Sequence, residues 1–240
     1  MILENVMMGD VWVCSGQSNM QWPMKSIFNS TYEMERIVQN YPNFKMFKLS
    51  RMTSAEPQDD LLQPGDGWRN DADMIEQFSA VCLLTASYMA DVLGKDKVFG
   101  LIESNWGGTR IEAWMDKEAL DSCDIEPNVD ENRPQQSNSY LYNAMIRPLV
   151  RLPIKGVLWY QGEANTGWNR DKYRCTFPAM IEHWRQTWNE LSGSQPDFPF
   201  GFMQLAANQA NDNWPGTPVT RWHQTVDFGI VPNDLMKVHK

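Results

Sequence analysis

The amino-acid sequence predicts an α/β protein built on an open parallel sheet in three layers. Two observations carry that expectation. Compact apolar runs recur along the chain, and stretches with helical hydrophobic spacing lie between them. The first run, residues 11–14, stops at Ser15-Gly16, as a strand entering a turn would. Residues 43–49 place Phe44, Met46, Phe47 and Leu49 in a pattern that suits a second strand. Residues 98–102 and 156–160 read as strands buried on both faces, and 198–205 as a fifth. Between them, Phe78, Val81, Cys82, Thr85, Tyr88, Met89 and Val92 share one helical face, with Gly94 as the stop. Tyr173, Phe177, Met180, Ile181, Trp184, Trp188 and Leu191 repeat the spacing over about five turns. Shorter helices are expected at 31–40 and 139–147, and long surface loops at 54–72 and 121–138. Strands alternating with helices imply right-handed crossovers between parallel strands.

The 240 residues suit a single domain over 1–240. With 21 Lys+Arg against 30 Asp+Glu the net charge is −9, which argues against nucleic-acid partners. No apolar run approaches the roughly 20 residues of a membrane span, and the first thirty residues contain no signal-peptide core. The four cysteines, Cys14, Cys82, Cys123 and Cys175, have no Cys-x-x-Cys pair; they are core thiols or up to two disulfides. His183, His223 and His239 form no cluster at metal-ligand spacing. Eleven tryptophans fit either a large aromatic core or a sugar-binding cleft.

A parallel sheet binds its ligand at the carboxyl ends of the strands, so chemistry is sought there. After the first strand comes Ser15-Gly16-Gln17-Ser18-Asn19-Met20, a sharp turn that lifts the Ser18 hydroxyl from the sheet edge. Such a serine is a nucleophile if a base lies within reach, or else a helix cap. After the third comes Ser104-Asn105-Trp106-Gly107-Gly108-Thr109-Arg110, whose glycines expose backbone amides to an oxyanion or simply make a loop. After the fourth comes Gln161-Gly162-Glu163-Ala164-Asn165, where a side-chain amide is a further donor or a loop bond.

These residues carry a resemblance. The segment from Asp10 to Met20 resembles the nucleophile segment of sialate O-acetylesterases, within the wider SGNH or GDSL-like hydrolase superfamily and its flavodoxin-like sheet. The segments Gly107 to Trp114, Trp159 to Asn165, Phe200 to Ala206 and Arg221 to Gln224 are similar to further family segments. The resemblance implies a serine acyl-enzyme mechanism on O-acetylated sialic acid or another acetylated sugar, such as xylan, with no cofactor. It implies Ser18 as nucleophile, and the Ser18 amide, the Gly108 amide and the Gln161 side chain as the oxyanion hole. It implies a lysosomal or extracellular setting. It also implies a base histidine three residues after an aspartate, and the sequence contains no Asp-x-x-His. The chain is therefore expected to be a shortened form whose sheet is unfinished at the carboxyl-terminal edge, and an inactive glycan-binding fragment is the rival reading.

Arg110 is a candidate for a bidentate contact with the carboxylate of a sialic acid, the alternative being an ion pair with Glu163 or Glu112. Trp22, Trp106, Trp114 and Trp168 are candidate sugar platforms or loop packing. Asn29-Ser30-Thr31 is a glycosylation sequon. Among the histidines, His223 follows Trp222 beyond the fifth strand, His183 lies in the longest helix, and His239 is near the terminus; each is weighed as a substitute base.

Overall fold

The computed structural model describes residues 6–65, 67–206, 216–233 and 236. Five parallel strands form one sheet: β1 (Asp10–Gly16), β2 (Phe44–Lys48), β3 (Phe99–Asn105), β4 (Gly156–Tyr160) and β5 (Phe200–Phe202). Their order is β2-β3-β1-β4-β5. All five strands lie where the apolar runs put them. The order differs from the flavodoxin arrangement 2-1-3-4-5 in one exchange, β3 lying between β2 and β1. The exchange places β1 between β3 and β4, so the turn that carries Ser18 is flanked on both sides by a motif-bearing strand end.

Seven α-helices are described: α1 (Ser18–Gln21), α2 (Ser30–Asn40), α3 (Ala72–Gln77), α4 (Ala80–Leu93), α5 (Lys117–Ser122), α6 (Tyr173–Ser192) and α7 (Gly216–His223). The period-2 alternation of the strands decides which side each helix covers. Trp12, Cys14, Met46, Leu101 and Leu158 point to one face, where they pack with Ile37 of α2, Met74 of α3 and Ala86 of α4. Val13, Ile102, Val157, Trp159 and Phe200 point to the other, with Phe177, Trp184 and Trp188 of α6. On that face Trp159 meets Trp114 and Trp184 edge-to-face, at centroid distances of 6.2 and 5.7 Å. Much of the tryptophan complement is therefore core.

Several boundaries differ from expectation for local reasons. The helix expected from Phe78 begins at Ala80, because Ser79 caps it by accepting the Cys82 N–H. A separate short helix, α3, precedes it, capped by Asp71 through the Met74 N–H. The helix expected at 139–147 is a π-helical turn, Tyr142–Ile146, followed by the 3-10 turn Arg147–Leu149. Pro148 lacks the N–H that would continue an α ladder. The cysteines form two disulfides, Cys14–Cys82 and Cys123–Cys175. The first joins β1 to α4 four residues before Ser18, and the second joins the end of α5 to α6.

Candidate active site

The site is built outward from the end of β1. Gly16 has φ +136°, and a Cβ there would collide with the Tyr160 carbonyl, so only glycine allows β1 to run this close to β4. The Gln17 N–H then donates to the Tyr160 carbonyl at 2.9 Å, and the Trp106 N–H to the Gly16 carbonyl at 3.0 Å. The turn into α1 is thus pinned between the ends of β4 and β3. Gln17, not Ser18, occupies the capping position of α1. Its side-chain Oε1 accepts the N–H groups of Gly162 (3.3 Å) and Ala164 (3.2 Å). Ser18 is therefore the first helical residue, exposed, and its hydroxyl makes no hydrogen bond among the described residues. This disposes of the helix-cap alternative.

The glycine pair after β3 lies against it. A Cβ built on Gly107 would be 3.5 Å from both Cα and Cβ of Ser18. The Gly107 N–H is engaged, donating to Gln21 Oε1 at 2.7 Å, which ties this loop to α1. Gly108 is different. It is exposed, has φ +74°, has open space above its Cα, and its N–H finds no acceptor among the described residues. Its carbonyl is held from behind by Gln136 Nε2 at 2.6 Å. One amide of the pair is thus left without an acceptor among the described residues, in the loop that meets Ser18 at Gly107.

The Gln161 expectation needs correction. Gln161 is fully buried, and both protons of its amide are taken, by the Thr109 carbonyl (3.1 Å) and Asn165 Oδ1 (2.7 Å). Its Oε1 accepts the Tyr173 hydroxyl at 2.9 Å. No donor is left for an oxyanion. Gln161 instead clamps the loop after β3 to the loop after β4 from beneath. Asn165, which the sequence did not single out for a role, is the second member of this clamp. Its Oδ1 also accepts the Ile111 N–H at 3.0 Å, and its Nδ2 donates to Glu112 Oε2 at 2.9 Å. Asn169 Nδ2 donates to the other Glu112 oxygen at 3.0 Å. Burial of Glu112 raises its pKa above the ordinary carboxylate value despite these donors. Nothing in the local sequence distinguishes such a buried amide from a loop polar residue. On the opposite rim Asn19 Nδ2 donates to Glu163 Oε1 at 2.7 Å.

Arg110 makes no ion pair with Glu163 or Glu112; its guanidinium carbon lies 3.7 Å from the centroid of the Trp168 ring. Of the four candidate tryptophan platforms, Trp114 is fully buried core and Trp106 packs partly buried against it. Trp22 and Trp168 are at the surface, 53% and 39% exposed. The described histidines both have carboxylate partners elsewhere. His183 Nδ1 is 3.4 Å from Asp116, and His223 Nδ1 is 2.6 Å from Asp227, which also pairs with Arg174 at 3.2 Å. His223 ends α7, which packs against α6 and against the turn Glu163–Asn165, whereas α1 packs against α4. His239 lies outside the described residues. Among the described residues no group of three or more His, Cys, Asp and Glu is placed to hold a metal ion, and no helix is long and apolar enough to cross a membrane.

An exposed serine at a strand-to-helix turn, at the carboxyl edge of a parallel sheet, stands where proteins of the open α/β type bind their ligands. Comparison with known proteins narrows this. The chain belongs to the carbohydrate esterase, sialic acid-specific acetylesterase family, whose model it matches over residues 8–230. It is 38% identical over 273 residues to the sialate O-acetylesterase of Mus musculus, covering 98% of this chain and 50% of that protein. It is 39% identical over 249 residues to the sialate O-acetylesterase of Homo sapiens, covering 98% and 47% respectively. The chain thus spans about half the length of the curated relatives it matches. The solved structure of a carbohydrate acetylesterase from Xanthomonas citri superposes with a TM-score of 0.76 at 32% identity, covering 90% of this chain and 47% of the other.

Proposed function

We propose that this chain carries the nucleophile and part of the oxyanion hole of a serine esterase that removes O-acetyl groups from sialic acids or related acetylated sugars. The carrying observation is the packing of an exposed Ser18, whose hydroxyl is unbonded among the described residues, against the Gly107-Gly108 loop, whose Gly108 N–H has no acceptor among them. Ser18 Oγ attacks the acetyl carbonyl carbon while its proton passes to a base. The Ser18 and Gly108 amides hold the oxygen that becomes negative. The bond to the sugar oxygen then breaks, that oxygen leaves protonated, and water releases acetate from the acyl-serine. Gln161 and Asn165 act on this step only by fixing where the Gly108 amide points.

Among the described residues no base lies within hydrogen-bond reach of Ser18, and the sequence holds no Asp-x-x-His. The chain is expected to hydrolyse 4-nitrophenyl acetate roughly 10³-fold more slowly than a form extended with such a segment. Ser18→Ala should erase that gain. Undiminished turnover when Ser18→Ala is made in the extended form would overturn the assignment. Two disulfides and an exposed Asn29 in the sequon Asn29-Ser30-Thr31 support a lysosomal or extracellular setting, where thiols oxidise and asparagines are glycosylated.

A further inference from the structure

Arg110 is an unusual cation for this surface. It lies two residues beyond the oxyanion glycine, half-buried, and makes no hydrogen bond or ion pair among the described residues. Its guanidinium rests on the face of Trp168, a contact that fixes the plane of the fork while leaving its N–H edges unused. The acidic groups in its neighbourhood already have partners. Glu112 accepts from Asn165 and Asn169, and Asp130 pairs with Arg133 at 3.1 Å. Desolvation disfavours the charged guanidinium where it stands, so an incoming anion relieves a penalty as well as forming a contact. The chain as a whole has a net charge of −9, a field that repels anionic ligands. A fixed, unpaired guanidinium in the oxyanion loop is the local exception.

We propose that Arg110 is a specificity-determining residue that receives the carboxylate of an acidic sugar in a bidentate contact, and that Trp168 is the positioning residue that holds its fork. The face of Trp168 that carries Arg110 is then not available as a sugar platform. The proposal rests on the esterase reading of the same site, to which it adds the feature that separates acidic from neutral acetylated sugars.

The test compares binding of N-acetylneuraminate and of its methyl ester, which lacks the charge, to the 240-residue chain by ligand-observed NMR. The parent chain should bind the carboxylate form at least tenfold more tightly than the methyl ester. A charge-assisted bidentate contact is worth roughly 10- to 100-fold in affinity. Arg110→Gln should remove the preference, and Arg110→Lys, with charge but no fork, should fall between. Trp168→Ala should weaken carboxylate binding several-fold, and Trp168→Phe should restore it. Thermal melts of each variant separate loss of recognition from loss of fold. Equal binding of acid and ester by the parent, no binding of either, or a preference surviving in Arg110→Gln would each overturn the proposal. If the preference holds while Ser18→Ala leaves ester hydrolysis untouched, the carboxylate site stands and the esterase reading falls. If Ser18→Ala abolishes hydrolysis and no preference exists, this inference alone falls.

Discussion

Gln161→Leu separates a buried clamp from an oxyanion donor. The substitution keeps the volume and removes three hydrogen bonds, to Thr109, Asn165 and Tyr173. Asn165 Oδ1 keeps the Ile111 N–H, so it is not stranded. The Thr109 carbonyl and the Tyr173 hydroxyl are. Both residues are fully buried, and the Tyr173 hydroxyl is left with only the long bond to the Gln161 main-chain oxygen, at 3.5 Å, and the neighbouring Trp159 side chain. A buried polar group left without a partner costs about 1–3 kcal/mol, so two cost about 2–6 kcal/mol. That is a large fraction of the roughly 5–15 kcal/mol by which a domain is stable. At about 2–4 °C per kcal/mol for a chain of this size, a mid-range loss of about 4 kcal/mol lowers Tm by about 8–16 °C. The assay is a thermal melt followed by circular dichroism, run beside hydrolysis of 4-nitrophenyl acetate well below the melt. A donor role predicts the reverse pattern, an intact fold with turnover reduced roughly 10²- to 10³-fold. A Tm within about 2 °C of the parent together with such a loss of turnover would refute the clamp.

Three further outcomes are expected. Replacing Cys14 and Cys82 together by alanine releases a crosslink of sequence separation 68, worth about 4 kcal/mol in chain entropy, and Tm should fall by roughly 8–16 °C in a melt without reductant. The pKa of Glu112 is raised in the folded state, so as pH climbs above its ordinary value of 4.5 the native state holds the proton longer than the unfolded chain, and this group's contribution to stability declines. Because Glu112→Gln lacks that titration, the stability of the parent minus that of the variant should fall as pH rises from 4.5, measured by urea unfolding; a rise would contradict the sign. Gly16→Ala places a Cβ against the Tyr160 carbonyl at φ +136° and should yield little soluble, folded protein, whereas Gly108→Ala, at φ +74° with open space, should cost only about 1–2 kcal/mol by the same melt.

The sequence by itself determined the elements that depend on neighbours within the chain. The five apolar runs became the five strands, and the spacing from Tyr173 to Leu191 became α6, because pattern and local backbone preference act over a few residues. It also placed sharp turns at Gly16 and Gly108, which take φ +136° and +74°. The tertiary structure alone decided the rest. Gln161 and Arg110 follow their strands in comparable fashion, yet one is fully buried with every polar atom engaged and the other is unpaired on Trp168. Neither fate can be read locally, because Gln161 meets Thr109 across 52 residues and Arg110 meets Trp168 across 58, and only the strand order β2-β3-β1-β4-β5 brings these segments together. The cysteines divide the same way: four spaced thiols allow several pairings, and it is the packing of α4 on β1 and of α6 on α5 that sets Cys82 against Cys14 and Cys175 against Cys123. Side-chain type is a local property, whereas whether a hydrogen-bonding group meets water, a buried partner or an open site depends on contacts between distant segments.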